Sequence, residues 1–194
     1  MKKIDFYFDV GSPYSYLAHT QLKKYEKDTS EKVNYFPILV GGLHKLAGIT
    51  APGLIPIKAK YLIKDCKIWA EKYKIKYQFN RYFPIKTVNL MRACLIAEKE
   101  NSLKEFVNKC FEAIWVESLN LNDEKIFIKF INSTHTFLNS FSEKISDQKI
   151  KDELIKRTSD SFNKGIFGVP SFIVNGKMFW GQDRLEFVLN ETKK

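Results

Sequence analysis

Two short segments of this 194-residue chain combine residue types that could handle an anion. The first is Ser12-Pro13-Tyr14-Ser15. It stands where an alternating apolar run, Ile4 to Val10, gives way after Gly11 to a helical pattern through Tyr16, Leu17, Leu22 and Tyr25. Serine before a proline at the first helical position signals a helix start: the hydroxyl caps an orphan N–H, and proline needs no donor there. The positive end of the helix lies at the same place and favours negative charge. The second segment is Gly165-Ile166-Phe167-Gly168-Val169-Pro170-Ser171, with Pro170 directly before a short strand-like run. Each alone has a plainer reading. Ser12 could be only a helix cap, and Pro170 an ordinary trans proline, since cis is found in only about 5–6% of X–Pro bonds.

A helix start of this kind can stabilise an anion, and a thiolate sets the scale of what is needed. A free thiol has a pKa of about 8.5, and lowering it by roughly 2 units takes about 2.7 kcal/mol in favour of the anion. A hydrogen bond to a charged group contributes about 1.5–3 kcal/mol, and a helix N-terminus up to about 2 kcal/mol. Ser12 and its helix can therefore do this without a general base. His19, His44 and His135 match no triad or metal spacing, and no metal site is expected. Cys66, Cys94 and Cys110 lie far apart inside amphipathic stretches with no C-x-x-C pair, so each is expected to be structural and buried.

The elements that would position these residues can be read along the chain. Ile4 to Val10, a helix from Pro13 and a strand from Val33 to Leu39 make β-α-β. A helical middle follows: Pro56 to Tyr73, Thr87 to Lys99, a helix opened by the capping box Ser102-Leu103-Lys104-Glu105, and Asp123 to Asn132. Ser133 to Ser146 has no clear pattern, and Asp147 to Lys164 is a long amphipathic helix stopped by Gly165. Ser171 to Val174 and Lys177 to Trp180 form a hairpin around Asn175-Gly176, and a helix from Asp183, capped by Asp183 with Glu186, closes the chain.

Composition narrows the function classes. Apolar residues at 44% and aromatics at 14% supply a real core, which argues against general disorder. The net charge of +10 comes mostly from scattered lysines, which reads as solvated helix surface favouring anionic ligands, without specific nucleic-acid binding. No run is long enough to span a bilayer, and the start of the chain reads as a strand, not a signal peptide. A cytoplasmic, reducing setting is expected.

The order of elements is α/β: a thioredoxin fold (residues 1–40 and 147–194) with an all-helical domain (41–146) inserted after the first β-α-β unit. In thioredoxin-like oxidoreductases the place of Ser12-Pro13-Tyr14-Ser15 holds C-P-x-C, and a cis proline precedes the third strand. The chain resembles, nearly end to end, the 2-hydroxychromene-2-carboxylate isomerase and kappa-class glutathione transferase family. The resemblance is carried by FYFDVGSPYSYL from Phe6, GITAPGLIPIKAKYLIKD from Gly48, Phe83-Pro84, and GIFGVPSFIVNGKMFWGQDRL from Gly165. It implies a glutathione cofactor with its sulfur at Ser12, and Val169 beside a cis Pro170 pairing with the cysteinyl backbone. It further implies Gln182 and Asp183 at the γ-glutamyl end, Lys58 facing a carboxylate, and Trp180 and Gly181 shaping the wall. A homodimer is also implied.

For the substrate half, the resemblance places Lys45 where the isomerases have a basic residue for a carboxylated aromatic. Two positions depart from the family: Ile49 replaces the usual asparagine after glycine, and Lys86 replaces the asparagine of Phe-Pro-x-Asn. The implied activity is isomerisation, in which a Ser12-stabilised glutathione thiolate adds reversibly to a conjugated aromatic carboxylate. Two other readings stand beside it: a kappa-like glutathione transferase or peroxidase acting on electrophiles, and a non-enzymatic peptide-binding module.

Overall fold

The computed structural model describes residues 3–134 and 141–194, so His135 lies outside the described residues. Its four-stranded sheet comprises β1 (Ile4–Phe8), β2 (Val33–Pro37), β3 (Ser171–Val174) and β4 (Lys177–Trp180), in the order β2-β1-β3-β4. β1 and β2 are parallel, joined by the crossover helix α1 (Pro13–Thr29); β3 and β4 run antiparallel to their neighbours. The β3–β4 turn is the expected Asn175-Gly176 pair, both at positive φ (51° and 75°), as a type I′ hairpin requires.

The helices after β2 are α2 (Val40–Ala47), α3 (Pro56–Tyr73), α4 (Val88–Lys99), α5 (Leu103–Trp115), α6 (Glu124–Ser133), α7 (Phe141–Ser146) and α8 (Gln148–Asn163). A 3-10 turn at Pro52–Leu54 precedes α3, another at Gln182–Arg184 follows β4, and α9 (Leu185–Glu191) ends the chain. Strand alternation divides β1 between two cores. Phe6 and Phe8 stack at 5.2 Å on one face, where Phe6 also meets Phe172 of β3, and α1, α4 and α5 cover them. Tyr7 faces the other side with Ile38, Leu43 of α2 and Ile166.

Several expectations from the sequence need correction. α2 and the two 3-10 turns were not read. β1 stops at Phe8, two residues early, because Val10 turns its N–H to Met91 Sδ (3.5 Å) and its C=O to the Trp115 indole (2.9 Å). β2 stops at Pro37, and the Leu39 N–H goes to Thr158 Oγ1 at 3.1 Å. The capping box at Ser102 does not form: its hydroxyl donates backward to the Ala97 carbonyl (3.2 Å), closing α4 and leaving α5 without a side-chain cap. Asp183 does not cap α9, which starts beyond the 3-10 turn with Arg184 as its cap residue. Asp123 and Asp147 do cap α6 and α8, Asp123 accepting the N–H groups of Lys125 and Ile126 and Asp147 that of Lys149.

Candidate functional site

Ser12 is the cap residue of α1, with extended backbone (φ −92°, ψ 117°), and its Oγ accepts the Ser15 N–H at 3.2 Å. Because the hydroxyl serves the helix with a lone pair, its own proton remains to be donated outward. Pro13 has no N–H, and the Tyr14 N–H has no acceptor within the helix. The start of α1 thus offers a hydroxyl donor and a backbone donor in the positive field of a 17-residue helix. Tyr14 leans outward and donates its hydroxyl to Asp65 of α3 at 2.8 Å, tying the two helices together. Burial is the main cause holding its phenol well above the ordinary range.

The second segment meets the first at the same end of the sheet. Tyr7 pairs with Ser171, so the residues just before β3 lie beside the end of β1, where the Ser12 turn begins. The Val169–Pro170 peptide bond is cis, as is Phe83–Pro84. No hydrogen bond among the described residues satisfies the N–H or C=O of Val169. Gly181 donates its N–H to the Pro170 carbonyl at 2.9 Å, and Trp180 pairs with Ser171. Trp180 is half exposed rather than core; its ring packs against Phe167 (centroids 4.9 Å apart) and closes over Gly168, where a Cβ would sit 2.8 Å from the indole nitrogen.

The other candidate residues do not share one cavity. Lys58 is exposed and lines a mostly apolar pocket of about 370 Å³ with Tyr14, Pro52, Ile57, Tyr61 and Leu62. Gln182 and Asp183 line a different cleft, of about 570 Å³, with Trp69 and Tyr73 of α3 and Tyr25 of α1. Gln182 is buried, and its Oε1 accepts the Tyr73 hydroxyl at 2.8 Å. Asp183 is exposed and pairs with Arg184 at 3.3 Å. Lys45, Ile49 and Lys86 are all exposed and line neither pocket; the Lys86 backbone N–H donates to Asn122 at 2.8 Å.

The three cysteines are fully buried and unbridged, and burial pushes the Cys66 thiol up to about 12. His19 is buried between Tyr35 (2.9 Å) and Asn108 (3.3 Å), well inside the fold. Sequence reasoning missed Asp9 and Thr87. Asp9 is wholly buried beneath the Ser12 turn; burial pushes its carboxyl above the usual range, against hydrogen bonds from Gly11, Val40 and Thr87. Its one visible signal was a carboxylate inside an apolar strand, three residues before Ser12.

Comparison with known proteins finds similar sequences and a similar fold. The chain is 29% identical over 190 residues to a 2-hydroxychromene-2-carboxylate isomerase of Sphingobium xenophagum, covering 96% of each. It is 28% identical to glutathione S-transferase kappa 1 of Rattus norvegicus, covering 95% of this chain and 88% of that one. A solved 2-hydroxychromene-2-carboxylate isomerase superposes with a TM-score of 0.89 at 24% identity, over 98% of this chain and 94% of the other. The resemblance carried by the two motifs is thus matched across the whole sequence. The DSBA-like thioredoxin domain matches residues 3–193, and the chain belongs to that family.

Proposed function

We propose that this protein is a glutathione-dependent isomerase of the 2-hydroxychromene-2-carboxylate type. One observation carries the reading: Ser12 caps α1 with a lone pair and keeps its proton, beside a Val169 backbone that no hydrogen bond among the described residues satisfies. Those groups fit an extended thiol peptide. Glutathione, when bound, supplies the thiolate that adds to the conjugated acceptor and is released unchanged. Ser12 and the Tyr14 N–H stabilise negative charge on sulfur, and Val169 offers its N–H and C=O to the cysteinyl backbone. Asp183 is the carboxylate that meets the γ-glutamyl ammonium. Gln182, with its carbonyl oxygen held by Tyr73, positions Asp183 and contributes its remaining amide donors. Lys58 attracts a carboxylate from the opposite side, and Trp180 and Gly181 wall the peptide. Lys45 and Lys86, both exposed, are the cations this reading assigns to a carboxylated substrate.

A second activity, transfer of glutathione to apolar electrophiles, is favoured by the lining of the pocket beside Tyr14, where Lys58 is the charged residue among apolar ones. The experiment that tests the shared step is titration of glutathione into the protein, with thiolate absorbance followed against pH for wild type and Ser12→Ala. Saturable binding with a lowered thiol pKa that rises in the variant supports the reading. Binding with an unshifted pKa, indifferent to Ser12, overturns it. A comparison of chromene carboxylates with halogenated electrophiles then separates the two activities.

A further inference from the structure

Asp9 joins the turn that presents Ser12 to two helices from the middle of the chain. Its Oδ1 accepts the Gly11 N–H at 2.9 Å. Its Oδ2 accepts the Val40 N–H at 2.9 Å, from the first residue of α2, and the Thr87 hydroxyl at 3.1 Å, from the cap residue of α4. Its main-chain carbonyl accepts the Ser12 N–H at 3.0 Å. One buried residue therefore grips the turn from both its side chain and its backbone, and fixes that turn against the starts of α2 and α4.

The chemistry of this set is specific. All three side-chain partners donate, which is the complement that a carboxylate, an acceptor on both oxygens, requires. Two of the contacts lie at helix N-termini, whose partial positive charge offsets the carboxylate beneath a site meant for a second anion. Thr87 approaches as closely as the turn permits: a Cβ on Gly11 would lie 2.7 Å from Thr87 Cγ2. Ser12 must hold its hydroxyl within hydrogen-bond range of sulfur, and a misplacement of about 1 Å forfeits most of such a contact.

We propose that Asp9 and Thr87 form a positioning pair that sets the Ser12 hydroxyl, so that the middle helices determine how strongly the site acidifies a bound thiol. The consequence for the thiol rests on the thiolate reading given above; the positioning of the turn does not. In this role Asp9 and Thr87, both buried, act through Gly11 and Ser12.

The test uses Thr87→Val, which removes the hydroxyl at nearly constant volume, and Thr87→Ser, which restores it. Asp9→Asn, which sets an amide donor against donors, serves as a second disruption. Amide hydrogen exchange is measured on the ligand-free proteins, and the pKa of bound glutathione by thiolate absorbance. The expected result for Thr87→Val is faster exchange confined to the turn and first residues of α1, by about tenfold, the scale of one buried hydrogen bond. A bound thiol pKa above wild type is expected with it, and recovery of both in Thr87→Ser. Unchanged exchange at the turn, or acceleration spread evenly over all helices, overturns the positioning role. If wild type fails to acidify the thiol, the thiolate reading falls, and exchange in the ligand-free proteins still decides the role of Asp9 and Thr87.

Discussion

The Trp115 indole donates to the Val10 carbonyl at 2.9 Å, joining the end of α5 to the turn that leads into Ser12. On the other side of the same residue, the Val10 N–H points at Met91 Sδ of α4. Neither polar group of Val10 therefore enters the sheet, and the geometry of the candidate site depends on helices far away in sequence.

Trp115→Phe isolates that contact. It keeps an aromatic ring in a fully buried place but leaves a buried carbonyl without its donor, which costs about 1–3 kcal/mol. For a chain of this size each kcal/mol lowers Tm by about 2–4 °C. Chemical denaturation of the two proteins checks this, and equal stability would mean that the bond contributes nothing net.

Capping and sulfur stabilisation by Ser12 can be separated with Ser12→Asp. Aspartate caps a helix as well as serine does, so thermal stability should stay close to wild type. A carboxylate at the same place repels a thiolate, so the bound thiol should titrate at or above its free value. Ser12→Ala, by contrast, should lose about 1 kcal/mol of stability as well as the acidification. A Ser12→Asp protein that still acidifies glutathione would assign the effect to the helix alone.

What the sequence disclosed divides along the range of the interactions. The start of α1 at Ser12-Pro13 and the Asn175-Gly176 turn rest on the local chemistry of two or three residues, and both were legible. The two segments of the candidate site carry local signatures as well, although only the fold brings them to one end of the sheet. α2 was missed because it is short and contains Gly41 and Gly42, and because its first N–H is satisfied by Asp9, a residue from a distant strand. The expected boxes at Ser102 and Asp183 fail for a related reason: Ser102 finds an acceptor in the preceding helix, and Asp183 lies inside a 3-10 turn that precedes α9. Asp9 and Thr87 were invisible as a pair because only the fold brings them within 3.1 Å.

Two glycines near the site should respond differently to alanine. At Gly11 the new Cβ meets the methyl of Thr87, a buried residue held by Asp9, so overpacking should cost about 1–3 kcal/mol of stability. At Gly168 the new Cβ meets the Trp180 indole, which is half exposed and can swing away. Gly168→Ala should therefore fold with little loss yet bind glutathione more weakly, with altered indole fluorescence. Melting curves and glutathione titrations on both variants check the contrast; unchanged affinity in Gly168→Ala would remove Trp180 from the binding wall.

His19 should make the protein sensitive to acid without taking part in catalysis. Burial holds its imidazole down at about 3; the Asn108 hydrogen bond works against this, while Lys23 and Lys104 add to it. An unfolded histidine titrates at about 6.5. Between those values the unfolded chain carries the proton and the native one does not, so stability falls as pH drops. The stabilisation from keeping His19 neutral is therefore complete above about pH 6.5 and is lost progressively toward about pH 3. In His19→Gln this component is absent, so the stability of wild type relative to the variant should decline by about 1 kcal/mol between pH 6 and pH 5. Denaturant titrations of both proteins at the two pH values measure it. Parallel behaviour would mean that His19 takes up its proton in the native state, and that the contacts with Tyr35 and Asn108 yield to it.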